Sequence, residues 1–287
     1  MAKLSIESAG VLGRISSSQE TIRKILEDDF TYHYLPEAKI DFSEREPDIF
    51  VEETSNDDLL RMNYPRIILP KIGDHRGLVS ACDYLLERAR QEKFEVYSLN
   101  SSSVQEDGKA IIFYGGATNL GKTSSVLELA VNGFELFSDE KTLLNLGTQT
   151  LYGGSRSIAL RKRILQERVG SSKEFKEFHR ASCNSPEICM LILPHLDHGL
   201  ENPVAYQLDP RDAFWHLNKE IARRIRGDTK FYRNYEHALQ SLDNEDLSNQ
   251  RIKLVKTLTE TIPTYYFQGN LKQLTDFVKE RFNKPKQ

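Results

Sequence analysis

Eight consecutive residues, Gly116-Ala117-Thr118-Asn119-Leu120-Gly121-Lys122-Thr123, fill every fixed position of G-x-x-x-x-G-K-[ST]. Glycines in such a segment let the backbone wrap until successive N–H groups converge on phosphate oxygens, and a helix that follows adds the positive end of its dipole. Lys122 is then expected to bridge the β- and γ-phosphates of a nucleoside triphosphate as a point charge, and Thr123 to place its hydroxyl on a magnesium ion. Ser124 continues the same turn and completes the expected nucleotide-binding set. An ordinary glycine turn with a surface lysine would leave unexplained why all four fixed positions are filled. Sixteen residues after Thr123 stands the acid pair Asp139-Glu140, just past the short apolar run Phe134 to Phe137. Paired acids on a loop are usually solvated, but this position lets one reach a metal at the phosphate loop. A metal or base role is therefore expected of Asp139 and Glu140.

The elements that must position these groups are legible around them. Ser101 to Val104 and Ala110 to Tyr114 are β-compatible runs joined by the turn signal Glu106-Asp107-Gly108-Lys109, which predicts a hairpin. Its second strand runs into Gly115-Gly116, and Thr123 to Val131 resumes a helical pattern, so the motif lies between strand and helix as its chemistry requires. Leu78, Val79, Cys82, Leu85, Leu86 and Ala89 recur at helical spacing. Ile188 to Leu193 is expected as a buried strand. Asp209-Pro210 is expected to cap a long amphipathic helix through Ile225. Residues 161–187 are charged and weakly periodic, a helix or a loop. Before them, an amphipathic stretch Glu20 to Glu27 and extended pieces at Tyr32 to Leu35, Ile40 to Phe42 and Asp48 to Glu52 are punctuated by Pro36, Pro47, Pro65 and Pro70. That pattern predicts a small N-terminal α/β domain over 1–72, with residues 73–287 as the domain that carries the motif.

Composition narrows the function classes. The 287 residues carry 42 Asp+Glu against 39 Lys+Arg, with 39% hydrophobic residues, enough for a substantial core and unlike collagenous or disordered chains. No apolar run approaches the roughly 18 residues of a bilayer-spanning helix, and Met1 to Ser18 lacks the apolar core of a secretory signal. Three irregularly spaced cysteines, Cys82, Cys183 and Cys189, point to a reducing, cytoplasmic location. A near-neutral balance argues against a nucleic-acid coat, although Arg223, Arg224, Arg226, Lys230 and Arg233 form a basic run of the kind used either as a solvated face or for phosphate. Cys183, Cys189, His195 and His198 do not have the tight spacing of a zinc site. His195, Asp197 and His198 could border an acceptor site, and the cations from Arg161 to Arg180 could close over an anion.

The stretch from Ser101 to Leu144 resembles the nucleotide-binding core of the HPr kinase-like proteins, which share a P-loop fold with phosphoenolpyruvate carboxykinase. It has the D-G hairpin turn Asp107-Gly108, the phosphate loop, Gly133 after the helix, and a strand ending in Ser138-Asp139-Glu140. Gly153-Gly154-Ser155-Arg156 is similar to a later family segment, and looser similarity extends over about residues 97–225. The resemblance implies an α/β fold with a P-loop core and a mixed sheet, ATP and Mg2+ as donor and cofactor, and phosphoryl transfer to a hydroxyl of a small molecule or a protein serine. It further implies that Thr123 and Asp139 hold the metal, that Asp139 or Glu140 assists deprotonation of the acceptor hydroxyl and that Arg156 stabilises charge on the moving phosphoryl group, and it is compatible with a homo-oligomer. Asn100 stands where many members carry histidine, Glu140 replaces an aspartate, and no E-V-R-G-L-G segment marks a true HPr kinase/phosphorylase. The alternative is a nucleotide-dependent ATPase or switch acting through a partner; an enzyme of nucleic-acid ends or nucleosides is a weaker option.

Overall fold

The structure of the protein, a computed structural model, describes residues 1–42, 45–54, 60–71, 74–116, 120–161, 173–178, 185–227, 231–232 and 237–282. The described chain is mixed α/β, with two large sheets and seven helices. The first sheet begins with a hairpin, β1 (Ala2–Ser8) and β2 (Val11–Ser17), whose turn residues Ala9 and Gly10 both take positive φ. Helices α1 (Gln19–Glu27) and α2 (Asp29–Tyr34) follow, then β3 (Ala38–Ile40), β4 (Ile49–Thr54), β5 (Arg61–Asn63) and β6 (Arg66–Pro70), in the order β3-β1-β2-β4-β6-β5. Tyr32 to Tyr34, expected to be extended, form the end of α2. The Asp28 side chain accepts from the Phe30 N–H and starts that helix, and docking of Thr31 and His33 into the interior overrides the strand preference of the tyrosines.

Helix α3 (His75–Phe94) lays the spaced residues Leu78, Val79, Cys82, Leu85, Leu86 and Ala89 on this sheet, in one core with Ile6, Ile15, Ile49 and Val51. The expected boundary near residue 72 falls at 72–73, outside the described residues.

The second sheet has nine strands. It begins with β7 (Val96–Leu99), β8 (Ser101–Glu106) and β9 (Lys109–Tyr114), the last two being the expected hairpin, with Asp107 and Gly108 at φ 50 and 73. Helix α4 (Lys122–Val131), β10 (Glu135–Ser138), β11 (Thr142–Asn145) and β12 (Thr150–Gly154) come next. A separate hairpin, β13 (Ser157–Arg161) with β14 (Lys173–Glu177), corrects the helix-or-loop expectation for this charged stretch; strand pairing is a property of two segments and leaves little trace in either. Residues 162–172 and 179–184 lie outside the described residues. The chain returns to the sheet through β15 (Glu187–Leu196) and β16 (Val204–Gln207), and α5 (Pro210–Ala222) starts where Asp209 accepts from the N–H groups of Arg211 and Asp212. Past Ile225, the last residue of the expected elements, come the short pair β17 (Phe231–Tyr232) and β18 (His237–Ala238), α6 (Glu245–Thr261), β19 (Thr264–Gly269) and α7 (Leu271–Phe282).

Helices cover both faces of the nine-stranded sheet. Ala110, Ile112 and Tyr114 of β9 pack with Leu217 and Ile221 of α5 and Val255 and Leu258 of α6, while Ile111 and Phe113 pack with Val126 and Leu129 of α4 and Leu274 and Val278 of α7. This double burial explains why β9 reads as an unbroken apolar run rather than an alternating one. Each such Ile or Phe stabilises the fold by roughly 1.5–3 kcal/mol. Strand β9 runs parallel to β15, and β15 to β19, while β8 is antiparallel to both β9 and β10. The carboxyl ends of β9, β10, β15 and β19 and the amino end of β8 therefore meet at one edge. Among the described residues, no helix is long and apolar enough to cross a membrane.

Candidate functional site

At that edge β9 ends and the chain turns through Gly115, at φ 144, and Gly116 toward Leu120 and Gly121. Ala117, Thr118 and Asn119 lie outside the described residues. Gly121, at φ 92, is the N-cap of α4 and offers no side-chain acceptor to the first turn, so the leading N–H groups of this helix face the loop without an intrinsic cap. Packing enforces the glycine: a Cβ there would lie 2.3 Å from Leu196 at the end of β15. Ser124 is exposed at the first turn, and Lys122 folds back to donate to the Gly115 carbonyl at 3.0 Å. Burial lowers the Lys122 pKa; Glu140, Asp139 and Glu220 pull it back up, and Arg223 pushes it further down.

The two residues expected to share a metal are brought together. Thr123 Oγ1 donates to Asp139 Oδ1 at 2.9 Å, and Ser102 Oγ, from the amino end of β8, donates to the same oxygen at 2.5 Å. Asp139 is only 2% exposed. Burial raises its pKa above the ordinary carboxylate value, Glu140 adds to that rise, and the two hydroxyl donors and the nearby His33 oppose it. Its hydrogen-bond donors on side chains are thus neutral hydroxyls, and a buried carboxylate so placed is short of positive charge. A divalent cation fits this deficit: the hydrogen bond turns the Thr123 proton toward Asp139 and leaves a hydroxyl lone pair for a ligand. Among the described residues no group of three or more His, Cys, Asp and Glu gathers, so a cation here would rely on Thr123, Asp139 and oxygens from outside the protein.

Glu140 follows in the left-handed region, at φ 63, with its carbonyl accepting from Ser101 N at 3.3 Å. The next residue anchors the turn. Lys141, 1% exposed, donates to Asp83 Oδ2 and to the Tyr34 carbonyl, both at 2.8 Å, and Asp83 continues to Arg90 and Glu87 inside α3. Nothing in the spacing around Lys141 signals this tie between the acid turn and the N-terminal layer.

Arg156 is placed differently from the residues of the loop. Its guanidinium pairs with Glu37 Oε2 at 2.7 Å and is half exposed, while the neighbouring Ser155 carbonyl accepts the Asp139 N–H. His195 Nδ1 lies 3.4 Å from the Tyr266 hydroxyl, and Asp197 accepts from Gln268 and from the Gly199 N–H, all around the end of β15. Cys189 faces the Ala110 carbonyl, and Cys183 lies outside the described residues. Ser102 and Glu220 were not singled out by any spacing. Ser102 sits in the run Ser101 to Ser103, whose hydroxyl content at the start of a strand beside the motif was the available signal. No family model matches the chain, and no curated protein does.

Proposed function

We propose that the protein is an ATP-dependent phosphotransferase that moves the γ-phosphoryl group to a hydroxyl acceptor, on a P-loop core of the HPr kinase/carboxykinase type spanning residues 73–287. One observation carries the reading: Thr123 at the start of α4 and the buried Asp139 at the end of β10 share a hydrogen bond of 2.9 Å beside an uncapped helix N-terminus. In this reading the leading N–H groups of α4 and Lys122 hold the β- and γ-phosphates, and Thr123 and Asp139 hold Mg2+. The ion, when bound, neutralises charge on the β- and γ-oxygens. The acceptor oxygen forms a bond to the γ-phosphorus as the bridging bond to the β-phosphate breaks, and the acceptor proton passes to Asp139 or Glu140. Burial of Asp139 supports a carboxylate with raised proton affinity at that point. Asn100, in place of a histidine, favours a second reading in which ATP is only hydrolysed and the protein acts as a switch.

Incubation of the protein with γ-labelled ATP, Mg2+ and a host extract tests this. Label in a new small molecule or on one protein band, lost in Lys122→Ala and Asp139→Asn, is the expected result and names the acceptor class. Free phosphate alone favours the switch, and no ATP-dependent product at all ends both readings.

A further inference from the structure

The last turn of α5 presses an ion pair onto the glycine loop. A Cβ on Gly116 would lie 2.4 Å from an Arg223 terminal nitrogen and 2.5 Å from Glu220 Oε1, so this pair sits directly against the glycine backbone and would have to shift for any larger residue. Arg223 Nε sits 3.3 Å from Glu220 Oε2, with the arginine side chain 31% exposed and that of the glutamate 11%. Glu220 Oε2 is buried and accepts no hydrogen bond, an expensive state for a carboxylate held only by an ion pair. The pairing uses Nε, one terminal nitrogen of Arg223 lies against the Gly116 backbone, and neither terminal nitrogen has a hydrogen-bond partner among the described residues. Arg156, by contrast, is engaged by Glu37.

We propose that Arg223 is a second cation of the phosphoryl site, presenting its terminal N–H fork to the γ-phosphoryl oxygens, and that Glu220 is the positioning residue that holds the fork against Gly116. The inference rests on the phosphotransferase reading. A guanidinium matches phosphate oxygens bidentately, and one held in place beforehand stabilises the charge that spreads over the moving group. Glu220, already paired through Nε, keeps that fork in register while the nucleotide enters.

The test uses the full chain with Mg2+ and either ADP or ATP, reading affinity by calorimetry and loss of γ-phosphate in single turnovers. Arg223→Ala is expected to lower the single-turnover rate about 10³-fold while ADP affinity stays within about twofold. Arg223→Lys, which keeps charge but loses the fork, is expected to recover only a small part of that rate, and it substitutes as the probe if the alanine variant does not fold. Glu220→Gln is expected to lose the preference for ATP over ADP with an unchanged melting temperature, which a purely structural glutamate would not do. Wild-type rate and ATP preference in the Arg223 variants would overturn the proposal alone. A wild-type chain that binds neither nucleotide would overturn the phosphotransferase reading with it.

Discussion

Two clusters of buried charge, joined in the chain by the two-residue step from Asp139 to Lys141, are built on opposite rules. Around Asp83, Glu87, Arg90 and Lys141 every charged group meets an opposite one: Arg90 bonds Glu87 at 2.8 Å and Asp83 at 3.3 Å, and Lys141 bonds Asp83 at 2.8 Å. Burial alone would push the Glu87 carboxyl up, but Arg90 and the donors of Ser98 bring it below the ordinary range. Around Asp139 the side-chain donors are neutral hydroxyls, the adjacent charge is another acid, and burial wins, so its pKa rises. A matched network needs nothing further and ties α3 to the turn before β11. An unmatched one, at the edge where five strand ends and a helix N-terminus meet, has room for a cation and phosphate.

Breaking the unmatched cluster is expected to have the largest consequence. Asp139→Asn should lower phosphoryl transfer by about 10³-fold or more without lowering the melting temperature, because it removes an ionic ligand and relieves a buried charge. Transfer assays beside thermal melts decide it, and a rate within tenfold of wild type would place Asp139 with the structural acids. Breaking the matched cluster should do the reverse. Arg90→Met leaves Glu87 and Asp83 without their shared partner and is expected to destabilise the fold by about 3–5 kcal/mol in urea titrations.

Lys122→Ala should weaken ATP binding by roughly 10- to 100-fold, the loss of one charge-assisted contact. At a hundredfold excess over Kd the wild type gains about 2.7 kcal/mol from nucleotide, and the variant should lose between about half and most of that at the same concentration. The clusters also differ in pH response. A raised native pKa means that the stability Asp139 contributes is fully present below the ordinary value of 3.8 and is lost as pH rises through the native value. The stability advantage of Asp139→Asn over wild type should therefore open across that window and persist at neutral pH; melts that show it closing would contradict the unmatched assignment. The smallest effect is expected at Arg156, whose half-exposed pair with Glu37 should contribute below about 1 kcal/mol. Arg156→Ala that loses transfer as severely as Arg223→Ala would return the phosphoryl-facing role to Arg156.

Much of the loop and its flanking elements was legible because each is a local statement. The Asp107-Gly108 hairpin, the β9 run, α4 and the capped start of α5 follow from turn chemistry, apolar runs and caps within a few residues. The end of α2 was misread because capping by Asp28 and burial of His33 outweigh the strand preference of tyrosine. The β13–β14 pairing was hidden because β14, Lys173-Glu174-Phe175-Lys176-Glu177, is too charged to show a strand period and pairing is a property of two segments.

The amino-acid sequence by itself determined the glycine-lysine-threonine segment, its place between a strand and a helix, and the acid pair after the next strand. Only the tertiary structure decided which of those groups meet. Thr123 and Asp139 touch because β10 lies two strands from β9 and ends on the same edge, Ser102 joins them from the start of β8, and Lys141 is bound to a helix more than fifty residues earlier. It also turned Arg156 to Glu37 and set Arg223 against Gly116. Backbone preferences act over a few residues, whereas the pairing of buried charges is settled by strand order and helix docking, where each ion must find a partner or stay short of one.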